Sequence, residues 1–145
     1  MLPRDLGSPA LSIPEVVSAF YSRIWNDGDV DAIGDLVAED FSFRGSLGAE
    51  RRGREAFRDY VLMVRSALAD YRCEILECVS EDHSAFAKMR FSGRHVGTFR
   101  GFAPTGKRVE WAGAALFTFN GSHIASLWVL GDLAGLDATL RDNQS

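Results

Sequence analysis

Two titratable side chains, Asp132 and His95, fall where strand alternation turns them toward an otherwise apolar face. A carboxylate set among Trp and Leu side chains loses hydration, which disfavours its charged form and raises its pKa. Such a group can take and return a proton near neutral pH, which is the work of an acid–base catalyst. A plain structural reading stands beside each. Asp132 can end its strand in solvent and cap the turn Gly131-Asp132-Leu133, and His95 can bond a loop carbonyl near Gly97. Other chemistries find no support. His83 sits in a polar turn, His123 falls on the outer side of its strand, and no spaced carboxylate–histidine cluster suggests a metal. The run Thr105-Gly106-Lys107-Arg108 lacks the Gly-Lys-Ser/Thr ending of a phosphate loop, and no other cofactor motif is present. Cys73 and Cys78 have no activating partner, so no nucleophilic arrangement is read from them.

The elements that must position these residues can be read in order. Ser12-Ile13-Pro14-Glu15 has the form of a capping box, and Ile13, Val16, Val17, Phe20 and Ile24 recur at helical spacing to about Trp25. Asn26-Asp27-Gly28 ends that helix, and Asp29 opens a second with Val30, Ile33, Leu36 and Val37 inward. Phe41-Ser42-Phe43 is a short extended piece, and a third helix runs from about Gly53 to Leu68. Strands are expected near 71–79, 84–97, 107–119 and 122–132. Helices first and strands afterwards is an α+β order, with three N-terminal helices packed on an antiparallel sheet.

The last two strands meet at Phe119-Asn120-Gly121-Ser122, and Asn-Gly between apolar runs is a strong hairpin signal. A two-residue turn pairs Ile124 with Phe117, Trp128 with Gly113, Leu130 with Trp111 and Asp132 with Val109. Directly opposed residues share a face. One face then shows Val109, Trp111, Gly113, Ala115 and Phe117 beside Ile124, Ser126, Trp128, Leu130 and Asp132. In the preceding strand Ala85, Ala87, Met89, Phe91, Gly93 and His95 alternate with Lys88, Arg90, Ser92 and Arg94, so the first set faces inward.

Composition narrows the function classes. The 145 residues fit one domain, 12–145, behind a loose arm at 1–11, and 46 % apolar residues suffice for a core without a disulfide or structural metal. Ten Phe and three Trp can also line a pocket for flat ligands. A net charge of −4 leaves no footprint for nucleic acid or anionic membrane. Arg51, Arg52 and Arg54 read as a solvated helix start. Cys73 and Cys78, five apart in a strand, point to opposite faces and do not bridge. MLPRDLGSPA lacks the apolar core of a secretory signal, and no apolar run approaches the roughly 20 residues of a membrane span, so a cytoplasmic setting is expected.

Several segments resemble the SnoaL-like polyketide cyclase (ester cyclase) family of the nuclear-transport-factor-like superfamily. They are Trp25-Asn26-Asp27-Gly28-Asp29, Gly53-Arg54-Glu55-Ala56-Phe57, Ser92-Gly93-Arg94-His95-Val96-Gly97, Gly101-Phe102-Ala103-Pro104-Thr105-Gly106-Lys107, and Gly121-Ser122-His123-Ile124 running to Trp128 and Asp132. The resemblance implies a cone-shaped curved sheet around an apolar pocket, and frequently a dimer. It also implies a cofactor-free intramolecular aldol closure with an aspartate near the end of the last strand as acid–base, a position Asp132 matches. The chain departs from the family at Ser126-Leu127, where many members carry an acid, and at Gly135-Leu136-Asp137-Ala138-Thr139-Leu140. Ketosteroid isomerases, a sibling group, have an oxyanion tyrosine where Tyr21 stands. Their base and second acid would fall near Gly45 and Ala115, so isomerase chemistry of that type is not implied.

The expectation is therefore a cofactor-independent enzyme acting on a hydrophobic, polyketide-like molecule. Asp132 would move the proton, and His95 or Tyr21 would polarise a carbonyl. Phe43, Phe91, Trp111, Phe117 and Trp128 would hold the rings. A non-catalytic binding module of the same fold, or a related hydroxylase, stands as the alternative. The outer-face residues Ala112, Ala114, Leu116, Ala125, Leu127 and Val129 are apolar enough to need a cover, supplied in part by a second copy.

Overall fold

The computed structural model describes residues 13–145. The arm at 1–11 and the cap expected at Ser12 lie outside them. Helix α1 (Glu15–Ala19) begins after Pro14, whose fixed φ suits a helix entry. It continues directly into a seven-residue π-helical stretch, Phe20–Asn26. The Asp27 N–H donates to Ser22 O, five residues back, at 3.0 Å. A single 3₁₀ turn, Val30–Ala32, leads into the short α2 (Ile33–Leu36). Then come β1 (Val37–Arg44), β2 (Glu50–Arg52), α3 (Arg54–Ala67), β3 (Leu68–Ser80), β4 (Ser84–His95), β5 (Arg108–Asn120), β6 (His123–Gly131) and a fourth helix, α4 (Leu133–Asn143).

The α+β class holds, as a curved, unclosed sheet in the order β2-β1-β6-β5-β4-β3. Two features go beyond the expected three helices on an antiparallel sheet. Strand β1 runs parallel to β6, which is possible because helix and strand segments separate them in sequence. Helix α4 adds a C-terminal element. The helices and the inner sheet face share an aromatic core in which Phe20 stacks on Phe57 at 5.6 Å and meets Phe117 edge-on at 5.8 Å.

Arginines join the helices rather than merely solvating them. Arg54 donates to Val37 O at 2.9 Å and to Gly34 O at 3.2 Å, and Arg65 donates to Trp25 O. These carbonyls lie at or just past helix ends, where acceptors lack helical partners. Arg51 lies over the Tyr60 ring at 5.4 Å. The reading of this cluster as a purely solvated helix start is thus corrected.

Two β-bulges decide which side chains enter the core. The hairpin turn centres on Gly121-Ser122, with Asn120 opposite His123 and Phe119 opposite Ile124. Gly121 supplies the positive φ that the first central position of a type II′ turn needs. This slip leaves Ile124 inward. One extra residue, Ala125, then interrupts the ladder, and Phe117 faces Leu127 while Leu116 faces Trp128. The expected faces therefore exchange. Leu127 and Val129 are buried, whereas Trp128 and Leu130 are 45 % and 50 % exposed. Strand β3 bulges between Ile75 and Glu77, which places both Cys73 and Cys78 inside, opposite Phe91 and Ala87. They share a face after all, but five strand residues separate them by about 16 Å, too far to bridge. Both are free thiols.

The outer strand β3 has one neighbour, β4, and its other edge is closed at Cys73 by a side chain. Asn26 Oδ1 accepts from the Cys73 N–H at 2.7 Å, and Asn26 Nδ2 donates to Cys73 O at 3.2 Å. A carboxamide here completes the ladder as another strand would. Asn26→Ala is expected to lower stability by about 1–3 kcal/mol in urea denaturation, because two backbone groups lose their partner. It should also speed hydrogen exchange at the Cys73 amide.

Candidate functional site

The site is built from the inner faces of β4, β5 and β6 and from the helices above them. Alternation along β4 and β5 delivers Met89, Phe91 and His95, then Val109, Trp111, Ala115 and Phe117, all buried as expected. Gly113 and Gly131 face each other across β5 and β6. A Cβ on Gly113 would enter the Phe91 ring, so the missing side chain is what seats Phe91. The π-helical stretch brings Tyr21 and Trp25 to the same space, and α3 brings Tyr60. Between these groups lies a small cavity of about 20 Å³, room for one water. Its wall includes Tyr21, Phe43, Ser46, Tyr60, Tyr71, Cys73 and Phe91, and carries no charged side chain.

All three tyrosines of the chain are on this wall. Burial pushes Tyr21 and Tyr71 well above the usual phenol range, with the neighbouring thiol of Cys73 adding to both. Burial raises Tyr60 to about 12, opposed by its hydrogen bonds to the Leu47 backbone and the Ser46 side chain. The Cys73 thiol is pushed up by the same desolvation. At neutral pH the cavity is therefore lined by proton-bearing donors. Several buried polar atoms have no partner among the described residues: the Tyr21 hydroxyl, both ring nitrogens of His95 and the Trp111 Nε1–H. An unsatisfied buried group costs about 1–3 kcal/mol, so each marks a place where a water or ligand atom fits.

The residues singled out in the sequence separate into three groups. Tyr21, Phe43 and Phe91 line the cavity. Phe117 packs edge-on against Tyr21 at 5.8 Å, and Trp111 packs against Phe91 at 5.4 Å, both on the same inner face. His95 is fully buried at the end of β4, 6.3 Å from the Phe99 ring, and among the described residues its ring nitrogens bond no loop carbonyl. Trp128 and Asp132 lie elsewhere. The bulge at Ala125 sends Trp128 to the outer face beneath the Arg44 guanidinium, 5.7 Å from its ring centre. Asp132 is exposed and caps α4, its Oδ1 accepting from the Gly135 N–H at 3.0 Å. A Cβ on Gly135 would run into that carboxylate, so the glycine and the cap belong together.

Sequence reasoning missed Tyr60, Tyr71, Trp25 and Cys73. Tyr60 was within reach, three residues after Phe57 on the inner stripe of α3. Cys73 and Tyr71 needed the register of β3, which a bulge obscures. Among the described residues no group of three or more His, Cys, Asp or Glu side chains could hold a metal. No helix there is long and apolar enough to cross a membrane.

Comparison with known proteins fits this geometry. The SnoaL-like polyketide cyclase family matches residues 15–140. The chain belongs to that family. Among solved structures, a protein of Acidithiobacillus ferrooxidans provisionally named a polyketide cyclase superposes with a TM-score of 0.80 at 21 % identity, over 97 % of this chain and 99 % of that one. TsrD from Streptomyces laurentii gives 0.77 at 26 %, over 87 % and 92 %. AclR from Streptomyces galilaeus, provisionally named a hydroxylase, gives 0.74 at 20 %, over 88 % and 93 %. At such identities the first and third of these likenesses carry the fold alone. No curated protein matches the sequence. The family's sheet-and-helix frame is thus established, with its inner face as the candidate site.

The tyrosine burial gives a pH dependence with a definite sign. Each folded-state phenol pKa lies above the unfolded value near 10, so the fold favours the protonated form. That stabilisation is complete below about pH 10 and is lost as pH rises toward and past 12. Absorbance at 295 nm should show almost no phenolate in the native protein at pH 10.5. Its appearance at higher pH should coincide with loss of the far-ultraviolet circular dichroism signal.

Proposed function

We propose that the chain is a cofactor-independent small-molecule enzyme that closes a ring in a hydrophobic, polyketide-like substrate by an intramolecular aldol reaction. The observation that supports this reading is the set of buried, unpartnered polar atoms on one inner face, His95 and Tyr21 foremost. In such a reaction a base takes a proton from a carbon flanked by carbonyls. The resulting enolate forms a C–C bond to a second carbonyl carbon, and the alkoxide takes the proton back, so nothing is consumed. The substrate's own carbonyls supply the activation, and no redox partner is needed. Tyr21 is a neutral donor for a carbonyl oxygen. An imidazole can both take and return a proton. Asp132, which caps α4 outside this face, has a structural part in this reading, and its Asn variant serves as the test of that. Phe43, Phe91, Trp111 and Phe117 would hold the rings and exclude water.

One observation favours a second reading, a non-catalytic binder of hydrophobic ligands. Asp132 is engaged as a helix cap and the cavity holds only about 20 Å³. The two readings separate on variants that keep the fold. Asn caps helices as well as Asp does, whereas Ala loses about 1 kcal/mol. Asp132→Asn should keep its melting temperature while Asp132→Ala loses a few degrees. Turnover of a linear poly-β-ketone ester, followed by chromatography, should fall at least 100-fold in His95→Gln or in Asp132→Asn if either carries the proton. Absence of turnover in the wild type with binding intact supports the binding module, and unchanged turnover in His95→Gln moves the proton transfer to another group of the inner face.

We further propose that two copies pair through the outer sheet face in a reducing, cytoplasmic setting, which the two free thiols fit. Support comes from one row of cross-strand neighbours, Val79, Phe86, Leu116 and Trp128, at 66, 43, 41 and 45 % exposure. An apolar stripe of that length calls for a cover. Leu116→Glu should convert a dimer to a monomer in sedimentation velocity, leaving the circular dichroism spectrum unchanged.

A further inference from the structure

The outer face of the sheet carries a groove where β2, β1 and β6 lie side by side. Strand register sets its side chains in two rows, with Arg52, Ser42 and Ser126 in the first and Glu50, Arg44 and Trp128 in the second. Arg51, between the two β2 positions, turns to the other face over the Tyr60 ring. The two serines are short and the residues around them are long, so the first row sinks between its neighbours. The resulting cavity of about 430 Å³ is open to solvent. Small-molecule sites typically span roughly 300–1,000 Å³, so there is room for a ligand of one or two rings.

One wall of the groove is fixed by the fold. Arg44 donates through Nη1 to Val129 O and Gly45 O, and its guanidinium lies 5.7 Å from the centre of the Trp128 ring. Its remaining N–H groups bond nothing among the described residues. This arginine has already lost its rotamer freedom to the fold, so ordering it for a ligand costs little more. Trp128 is 45 % exposed and offers ring surface beside it. Ser42 and Arg52 are exposed and add further donors. Arg44 and Arg52 against Glu50 leave one net positive charge over the groove, in a chain whose net charge is −4. The inner cavity is the opposite case, with no charged side chain on its wall. Phe43 and Leu127, ladder partners lying between the two rows, face that cavity, so groove and cavity sit back to back across the same two strands.

We propose that this groove is a ligand site separate from the inner face, and that it takes a planar aromatic carboxylate with a single negative charge. The carboxylate oxygens accept from Arg52, Arg44 and Ser42, and the ring lies against the Trp128–Arg44 pair. A neutral ring lacks the ion pairs. A dianion such as phosphate meets Glu50 and gains nothing from the indole. The apolar stripe from Val79 ends at Trp128, and the charged side chains of β1 and β2 lie beyond that end, as a polar rim lies beside the apolar centre of an interface. The groove therefore belongs to one chain and opens beside a pairing copy. It does not depend on what the inner face binds.

The test compares 2-naphthoate with 2-naphthamide, which share a ring system and differ in charge. In a ¹H–¹⁵N spectrum the protein has three indole signals, and the one absent from Trp128→Phe belongs to Trp128. 2-Naphthoate should shift that signal through its ring current, while the signals of the buried Trp25 and Trp111 stay in place. Followed by the same titration, 2-naphthoate should bind the wild type about tenfold tighter than 2-naphthamide, and Arg52→Gln should bring the two within about twofold. Arg52 is exposed on the edge strand β2, so this variant keeps the fold. Binding should weaken as salt is raised and should persist in Leu116→Glu. An Arg52→Gln protein that keeps the full preference, or a shift at Trp111 with none at Trp128, would overturn the site. Inorganic phosphate that displaces 2-naphthoate at equal concentration would overturn the aromatic class. Loss of binding in Leu116→Glu would overturn the assignment of the groove to one chain.

Discussion

Strand β6 carries one residue more than β5 between Ile124 and Ser126, and the division of the molecule into an inside and an outside follows from it. Side chains alternate along a strand, so an inserted residue reverses every later one. Beyond Ala125 the reversal turns Leu127 and Val129 into the core and Trp128 and Leu130 out of it. It sets Gly131 opposite Gly113, two adjacent positions on the inner face where Phe91 and Ser46 pack close against bare backbone. It also turns Asp132 away from the core, where its carboxylate meets the first turn of α4. One bulge thus shapes the cavity wall, the exposed stripe and the cap of the last helix.

The inner face combines two conditions that usually conflict. It is as tightly packed with aromatic rings as a core, yet it holds hydroxyl, imidazole and indole groups whose bonding capacity is unused. Low polarity around such groups raises the cost of leaving them bare and strengthens any bond they make with a ligand. It also keeps the phenols and the Cys73 thiol protonated. The consequence is a face that favours neutral acceptors. Supports for this arrangement lie outside the cavity. Asn26 closes the edge of β3 at Cys73, arginines bind the carbonyls at helix ends, and the Arg100–Asp137 pair at 2.6 Å ties the β4–β5 loop to α4 over the His95 end.

Much of the frame was readable before any coordinates. The order of helices and strands, the inward set of β4 from Ala85 to His95 and that of β5 from Val109 to Phe117 all follow from alternation over unbroken strands. Alternation singles out Phe91, the comparison with ketosteroid isomerases singles out Tyr21, and both meet Phe43 at the cavity. The errors cluster where the period breaks. Both bulges, at Ala125 and in β3 near Leu76, reverse the parity that the sequence pattern suggests, turning Trp128 outward and bringing Cys73 and Cys78 onto one face. The parallel pairing of β1 with β6 escaped notice because it joins segments some eighty residues apart, with no local signal in either.

What the sequence determined by itself was the class of fold and the supply of side chains. Helix periodicity, turn glycines and apolar alternation are local properties, and local sterics and solvation enforce them. The tertiary structure alone decided which of those side chains share a space. The apolar burial of a whole sheet face, weighed against the cost of one unpaired residue, fixes where a bulge falls, and no short stretch of sequence contains that balance. So Asp132, which looks from its neighbours like the end of an apolar row, is set by the fold as a helix cap. Trp111, which looks like packing, is buried among rings with an indole N–H that has no partner among the described residues.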